Sequence, residues 1–304
     1  MSTLSRFNKA YKHARVIPFN DRSRFIFFSD CHRGDNSFAD EFANKRNIYY
    51  HALKQYFKKG YTYIELGDGD ELWENRKFED LFEAHKNIYF LLKEFYDLGR
   101  LHMIFGNHDF VYKNDKVVKK HYETWWDPHE QRQRSFMPDL EFHEAIILRH
   151  EETGQELFLL HGHQADWFNY LFWPFARFMV RVLWKPLQVV GITDPTSPAK
   201  NNKELFKVER RAKKWIATMQ NKITIIGHTH RPRFPEPGAP ALFNDGSCVH
   251  PRSITGIELS DGALSLIKWN IDTTEEGYLQ IKRSVLEGPR QISEYNQGLS
   301  LKKG

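Results

Sequence analysis

Cysteine is nearly absent: 304 residues contain two, Cys31 and Cys248. Two thiols cannot build the disulfide framework of a small secreted scaffold. The opening stretch, residues 1–20, has no long apolar core, so no secretory signal is expected there. Repeats are missing, and no low-complexity linker marks a boundary. These absences predict one domain over residues 1–304 in a reducing, cytoplasmic setting. Extreme charge is lacking too, since 44 Lys and Arg against 39 Asp and Glu leave a net +5. Such a mild excess favours anionic partners, phosphate compounds or acidic lipid, and makes nucleic acid the less favoured one.

What is present is strand–helix alternation with many aromatics, including 24 Phe. Arg24–Ser29, Tyr61–Leu66 and Leu101–Phe105 read as short buried strands, with amphipathic helices over 39–58 and 78–97 between them. That order predicts an α/β fold with a largely parallel sheet. Residues 1–23 carry no motif, and 113–139 read as irregular. Glu141–His150 and Glu156–Leu160 read as a hairpin, residues 202–220 as a basic helix, and Ile223–Ile226 as a strand. Ala241–Asn244, Ser253–Leu259 and Ala263–Asn270 look like further strands, and 289–304 like a polar frayed tail.

Five of the strands end in residues able to hold a metal. They are Asp30 with His32, Asp68, Asn107 with His108, His161 with His163, and His228 with His230. Taken singly each has a plain reading: Asp30 as a helix cap, Gly67-Asp68 as a turn, Gly106-Asn-His-Asp109 as a loop tolerant of left-handed backbone. Taken together they lie on one edge, because the carboxyl ends of strands in an open α/β sheet form its binding crevice. Seven of them can surround two divalent cations: Asp30, His32, Asp68, Asn107, His161, His228 and His230. Imidazole, carboxylate and one carboxamide suit a borderline or hard divalent ion such as manganese, iron, nickel or zinc; manganese is the one expected. No thiolate is required, so a structural zinc site is not expected. His163 reads equally as a supporting partner or a loop residue, and Cys31 as a packing residue.

In this order the five elements resemble the calcineurin-like metallophosphoesterase superfamily over about residues 24–250. The resemblance implies a four-layer αββα sandwich with two metal ions. One ion would take Asp30, His32, Asp68 and His230. The other would take Asp68, Asn107, His161 and His228, with Asp68 bridging. It also implies that a metal-bridged hydroxide attacks phosphorus, since two such ions lower the pKa of a shared water to about 7. His108 would serve the leaving group or the developing oxyanion, oriented by Asp109. Gly67-Asp68-Gly-Asp-Glu71-Leu-Trp73 is similar, more narrowly, to an element of bacterial UDP-diacylglucosamine pyrophosphohydrolases. A helical insert between the fourth and fifth motifs, about 164–222, is similar to theirs as well. Those enzymes carry arginine at the place of His108.

Arg33, Arg231 and Arg233 flank the ligands and read as phosphate contacts or as solvated loop charges. The segment 166–186 is dense in aromatics but interrupted by Pro174, Arg177, Arg181 and Lys185. It suits a lid or a membrane surface better than a span. Trp167 is read as a substrate contact, and residues 167–184 as a peripheral membrane surface or a plain packed lid. Lys203, Lys207, Arg210, Arg211, Lys213 and Lys214 read as a solvated helix face, or as a contact for acidic lipid or nucleic acid. The function expected is a di-metal hydrolase of a phosphoester or pyrophosphate bond, on a lipid-linked or nucleotide-diphosphate substrate. Alternatives are a phosphoprotein phosphatase, a nucleotide phosphodiesterase or nuclease on the same site, or a non-catalytic scaffold.

Overall fold

The computed structural model describes residues 2–166 and 202–295. Two sheets organise them. The larger runs β14 (Leu279–Gln291), β13 (Ala263–Thr273), β12 (Ser253–Ser260), β2 (Phe25–Phe28), β3 (Thr62–Leu66), β4 (Leu101–Ile104) and β7 (Phe142–His143). The smaller runs β1 (Arg15–Phe19), β8 (Ala145–His150), β9 (Glu156–Leu160), β10 (Ile223–Ile226) and β11 (Leu242–Asn244). A separate hairpin joins β5 (Thr124–Asp127) to β6 (Arg132–Ser135). The expected parallel set is there: β2 pairs β3 and β3 pairs β4 in parallel, as β9 pairs β10.

Alternation along the strands sorts side chains into three cores. Phe25, Phe27, Ile64 and Leu66 of the larger sheet meet Ile146, Leu148, Leu159 and Ile225 of the smaller. Ile26, Phe28, Tyr63 and Met103 point the other way, onto α2 (Arg46–Lys58) and α4 (Lys86–Asp97). Ala145, Ile147, Phe158 and Leu160 pack against α1 (Thr3–Lys12) and α6 (Asn202–Thr218) through Phe7, Val208, Ala212 and Trp215. Each of these side chains is buried. At about 1.5–3 kcal/mol for a fully buried Leu, Ile or Phe, the strands are fixed by what they cover on both faces.

Several expectations change. The helix expected over 39–58 begins at Arg46. Before it, the Asp40 carboxylate accepts backbone N–H bonds from Asn36, Phe42 and Ala43, at 2.8, 3.0 and 3.1 Å, so local turn chemistry wins over helix. The helix expected over 78–97 is two, α3 (Phe78–Ala84) and α4, broken at His85. There the buried imidazole Nε2 lies 2.9 Å from Asp40. Residues 1–23 hold α1, capped by the Ser2 hydroxyl, and the parallel strand β1. The irregular stretch holds α5 (Asp115–Tyr122) and the β5–β6 hairpin. The tail expected to fray from 289 instead continues β14 to Gln291, and Ile292 and Tyr295 are buried. The part of that tail beyond 295, and most of the insert expected over 164–222, lie outside the described residues. Among the described residues no helix is long and apolar enough to cross a membrane.

Candidate metal centre

Three of the five motifs leave their strands through left-handed backbone at the expected ligands. Asp30, His32, Asp68, His228 and His230 all have positive φ, between 49° and 65°. A non-glycine residue in the left-handed region is uncommon, and five among the seven expected ligands concentrate strain where function is expected. Backbone bonds hold the turns: Asp30 N–H donates to Gly67 O, His32 N–H to Asp68 O, and Gly227 N–H to His161 O. The His228 N–H donates to Asp30 Oδ2 at 2.9 Å, tying one sheet to the other. The motif glycines clear space. A Cβ on Gly106 would run into Asp68 Oδ1, and one on Gly227 into Ser29 and Asp30.

All seven expected ligands meet at this edge. Asp30, His32 and His230 form one group, and Asp68, His161 and His228 a second, each with its ligand atoms within 4.8 Å of one another. Asn107 Oδ1 lies 3.2 Å from His161 Nε2. Asp68 Oδ2 stands 3.0 Å from His161 Nε2 and 3.9 Å from His32 Nε2, between the two groups. The His161 Nδ1–H donates to Leu66 O at 2.9 Å, which turns Nε2 inward as the ligand atom. Asp30 Oδ1, His32 Nε2 and His228 Nε2 are buried and make no hydrogen bond, although His230 Nε2 lies 3.0 Å from Asp30 Oδ1. Buried polar atoms are rarely left so, and oxygen and imidazole nitrogen are the donors a borderline divalent cation takes. The residues present therefore fit the cations expected from the sequence.

Electrostatics agree. Burial opposes the charge of Asp68, but His161, His108 and His32 outweigh it and hold the carboxyl well below the usual range. Asp30 is held low in the same way by His230 and His161. Against its own burial, His161 is raised to about 9 by Asp68 and Asp30. These are carboxylates primed for positive charge.

Two expected roles are corrected. Asp109 does not orient His108. Its carboxylate accepts the backbone N–H of Gly106 at 2.6 Å and of Gly69 at 2.8 Å, fastening the third motif to the second. Burial and the neighbouring Asp68 push it up to about 7 against that pull. The residue beside His108 is Glu71: its Oε2 lies 2.7 Å from His108 Nδ1 and 2.8 Å from His32 Nδ1. Trp73 stacks on the His108 ring at 4.3 Å. Nor does Arg33 face a substrate. It is fully buried, bidentate to Glu65 at 2.7 and 2.8 Å and bonded to Asp70 at 2.9 Å. Arg231 is exposed beside His230, while Arg233 is bonded to Glu209. His163 is buried next to His161, their ring centres 5.6 Å apart. Trp167 lies outside the described residues.

Sequence reasoning missed Glu71 as a site residue, although its place three residues after Asp68 was a readable signal. It also missed Asp166, whose Oδ2 is 3.5 Å from His228 Nε2.

A model of the calcineurin-like phosphoesterase family matches residues 23–232. The chain belongs to that family. The matched span begins just before β2 and ends just past His230, so all five motifs of this calcineurin-like phosphoesterase fall inside it. No curated protein sequence matches the chain. Family and site together support metal-dependent hydrolysis of a phosphoester.

Proposed function

We propose that the protein is a di-metal hydrolase of phosphodiester or pyrophosphate bonds. The reading is carried by one observation: two groups of clustered ligand atoms with Asp68 between them, three of those atoms being buried without a hydrogen bond. In this reading Asp30, His32, Asp68 and His230 would hold one cation, and Asp68, Asn107, His161 and His228 the other, manganese being the first choice. Bound there, the pair would supply Lewis acidity and a water whose pKa falls to about 7.

The remaining chemistry belongs to the chain's own groups. Glu71 holds the Nδ1 side of both His32 and His108, fixing each ring's orientation. Its Oε1 is pinned in turn by the Trp73 and Glu74 N–H groups at 3.1 and 3.2 Å. Burial opposes its charge, yet His108 and His32 hold its carboxyl well below the usual range, so it stays an acceptor at neutral pH. His108, partly exposed and stacked on Trp73, is the proton donor proposed for the leaving group.

The finer reading keeps the four-layer αββα arrangement with a helical insert over about 164–222. It takes as substrate a lipid-linked or nucleotide diphosphate, as the likeness of the Glu71–Trp73 element to the UDP-diacylglucosamine enzymes implies. Peripheral membrane contact through residues 167–184, in a cytoplasmic setting, goes with it. The two buried cysteines without a disulfide and the aromatic, basic composition of that segment support this.

Metal analysis of the purified protein and an assay on bis(p-nitrophenyl) phosphate test the reaction class. Two equivalents of metal with turnover are expected. A metal-free, inactive protein would favour the scaffold. Rapid cleavage of nucleotide monoesters with no action on lipid-linked diphosphates would refute the substrate reading.

A further inference from the structure

The basic helix left over from the sequence reading adjoins the metal centre. α6 buries Leu205, Val208, Ala212, Trp215 and Ile216 and exposes Phe206, Arg210, Lys214 and Ala217 along one stripe. Phe206, Glu209, Arg210, Lys213, Lys214 and Ala217 line a shallow, open groove of about 520 Å3 on that stripe, its wall mostly apolar.

Charge in the groove is one-sided. Among the described residues Glu209 supplies its one carboxylate, and Arg233 bonds it through both Nε, at 3.1 Å, and Nη2. Lys213 Nζ is 4.0 Å from the same carboxylate. Arg210 and Lys214 have no ion-pair partner among the described residues. Burial and nearby Arg233 lower the Lys213 pKa, as expected where cations crowd. The groove also connects to the reaction site. The Arg231 guanidinium lies 5.8 Å from the Phe206 ring centre, and Arg231 directly follows the expected ligand His230. Exposed cations thus follow one another from Arg231, next to the expected ligand His230, to Arg210 and Lys214 on the helix, with the exposed Phe206 ring among them.

We propose that this groove is a second anion subsite: it takes a phosphate of an extended substrate other than the one being cleaved, with an adjoining apolar part of the substrate on Phe206. The inference rests on the phosphoesterase reading and narrows its substrate to molecules with more than one phosphate. The occupant proposed is a soluble or monomeric phosphate compound and not a membrane surface.

The test uses the full chain with Arg210→Ser and Lys214→Ser together. Both side chains are solvent-facing, and an unchanged melting curve checks folding. The first probe is inorganic tripolyphosphate, titrated calorimetrically into chelator-treated protein. Its affinity should fall about five- to tenfold in the double variant, the loss of two exposed charge pairs. Arg210→Lys alone should keep most of the binding. The second readout is inhibition of bis(p-nitrophenyl) phosphate hydrolysis by tripolyphosphate, which should weaken by a similar factor in metal-loaded protein. Equal tripolyphosphate affinity in wild type and double variant overturns the subsite. So does loss of cosedimentation with vesicles of equal parts phosphatidylcholine and phosphatidylglycerol when tripolyphosphate binding is unaltered. Tripolyphosphate binding that depends on these residues in a protein without turnover would keep the subsite and fell the phosphoesterase reading.

Discussion

Two clusters of buried charge sit side by side behind the same strand ends. In the first, around Asp30, Asp68 and His161, carboxylates face imidazoles, and Asp30 Oδ1, His32 Nε2 and His228 Nε2 make no hydrogen bond. In the second, Arg33 is bidentate to Glu65 and bonded to Asp70, and phenols satisfy what remains. Tyr63 donates to Glu65 at 2.9 Å; Tyr89, Tyr112 and Tyr122 donate to Asp70 at 2.8, 2.6 and 2.7 Å. His32 belongs to the first and the very next residue to the second. Burial, charge and closeness to the site are thus shared. What separates a binding centre from a structural anchor is unfilled hydrogen-bonding capacity.

The largest effect is expected at Asp68. Asp68→Asn should lower kcat/KM on bis(p-nitrophenyl) phosphate on the order of a thousandfold, with metal content reduced and the melting temperature of the chelated protein little changed or raised. A folded variant with full activity would remove Asp68 from the centre. On the other side, Arg33→Leu strands Glu65 and Asp70 without their counter-charge. Unfolding by denaturant should show a loss of about 3–5 kcal/mol. Loss of substrate affinity at unchanged stability would return Arg33 to the substrate.

Glu71 stands between the clusters, since it pairs with site residues but fills its own valences. Glu71→Gln should reduce metal affinity and kcat about 10–100-fold, with stability close to wild type. An inert substitution there would show that His32 and His108 need no orienting partner.

A further effect is in the pH dependence of the metal-free protein. His161 has a folded pKa of about 9, above its ordinary 6.5. Its contribution to stability is present in full below pH of about 6.5 and is lost as pH rises through about 9. Chelated protein should therefore melt at progressively lower temperature across that window. Metal-loaded protein should not, because binding expels the same proton and tightens as pH rises. His161→Gln should flatten the slope in chelated protein, and an unaltered slope would assign the effect to another group.

Much of the fold was legible. β2, β3, β4, β9 and β10 are short runs buried on both faces, and their apolar, branched composition announces that. The elements that escaped notice have weaker patterns. β14 is an edge strand whose Lys282, Arg283, Glu287 and Arg290 read as a polar tail. α1 offers only Phe7 and Ala10 as a buried face, besides Arg6. The break at His85 depends on Asp40, forty-five residues away in sequence, and nothing local marks it.

At the site, residue types at strand ends were enough to nominate seven ligands, because a βα turn places whatever follows the strand on the sheet's carboxyl edge. The partition among neighbouring polar residues was not in the sequence. Asp109, Glu71, Arg33 and Asp70 are all charged and lie within three residues of an expected ligand. Which of them faces the centre depends on strand registers and on tyrosines from α4 and α5, elements brought near only by packing. Chemistry at strand ends is a local property, written residue by residue. Whether a buried charge is left open or closed depends on partners from distant parts of the chain, so the tertiary structure alone decided it.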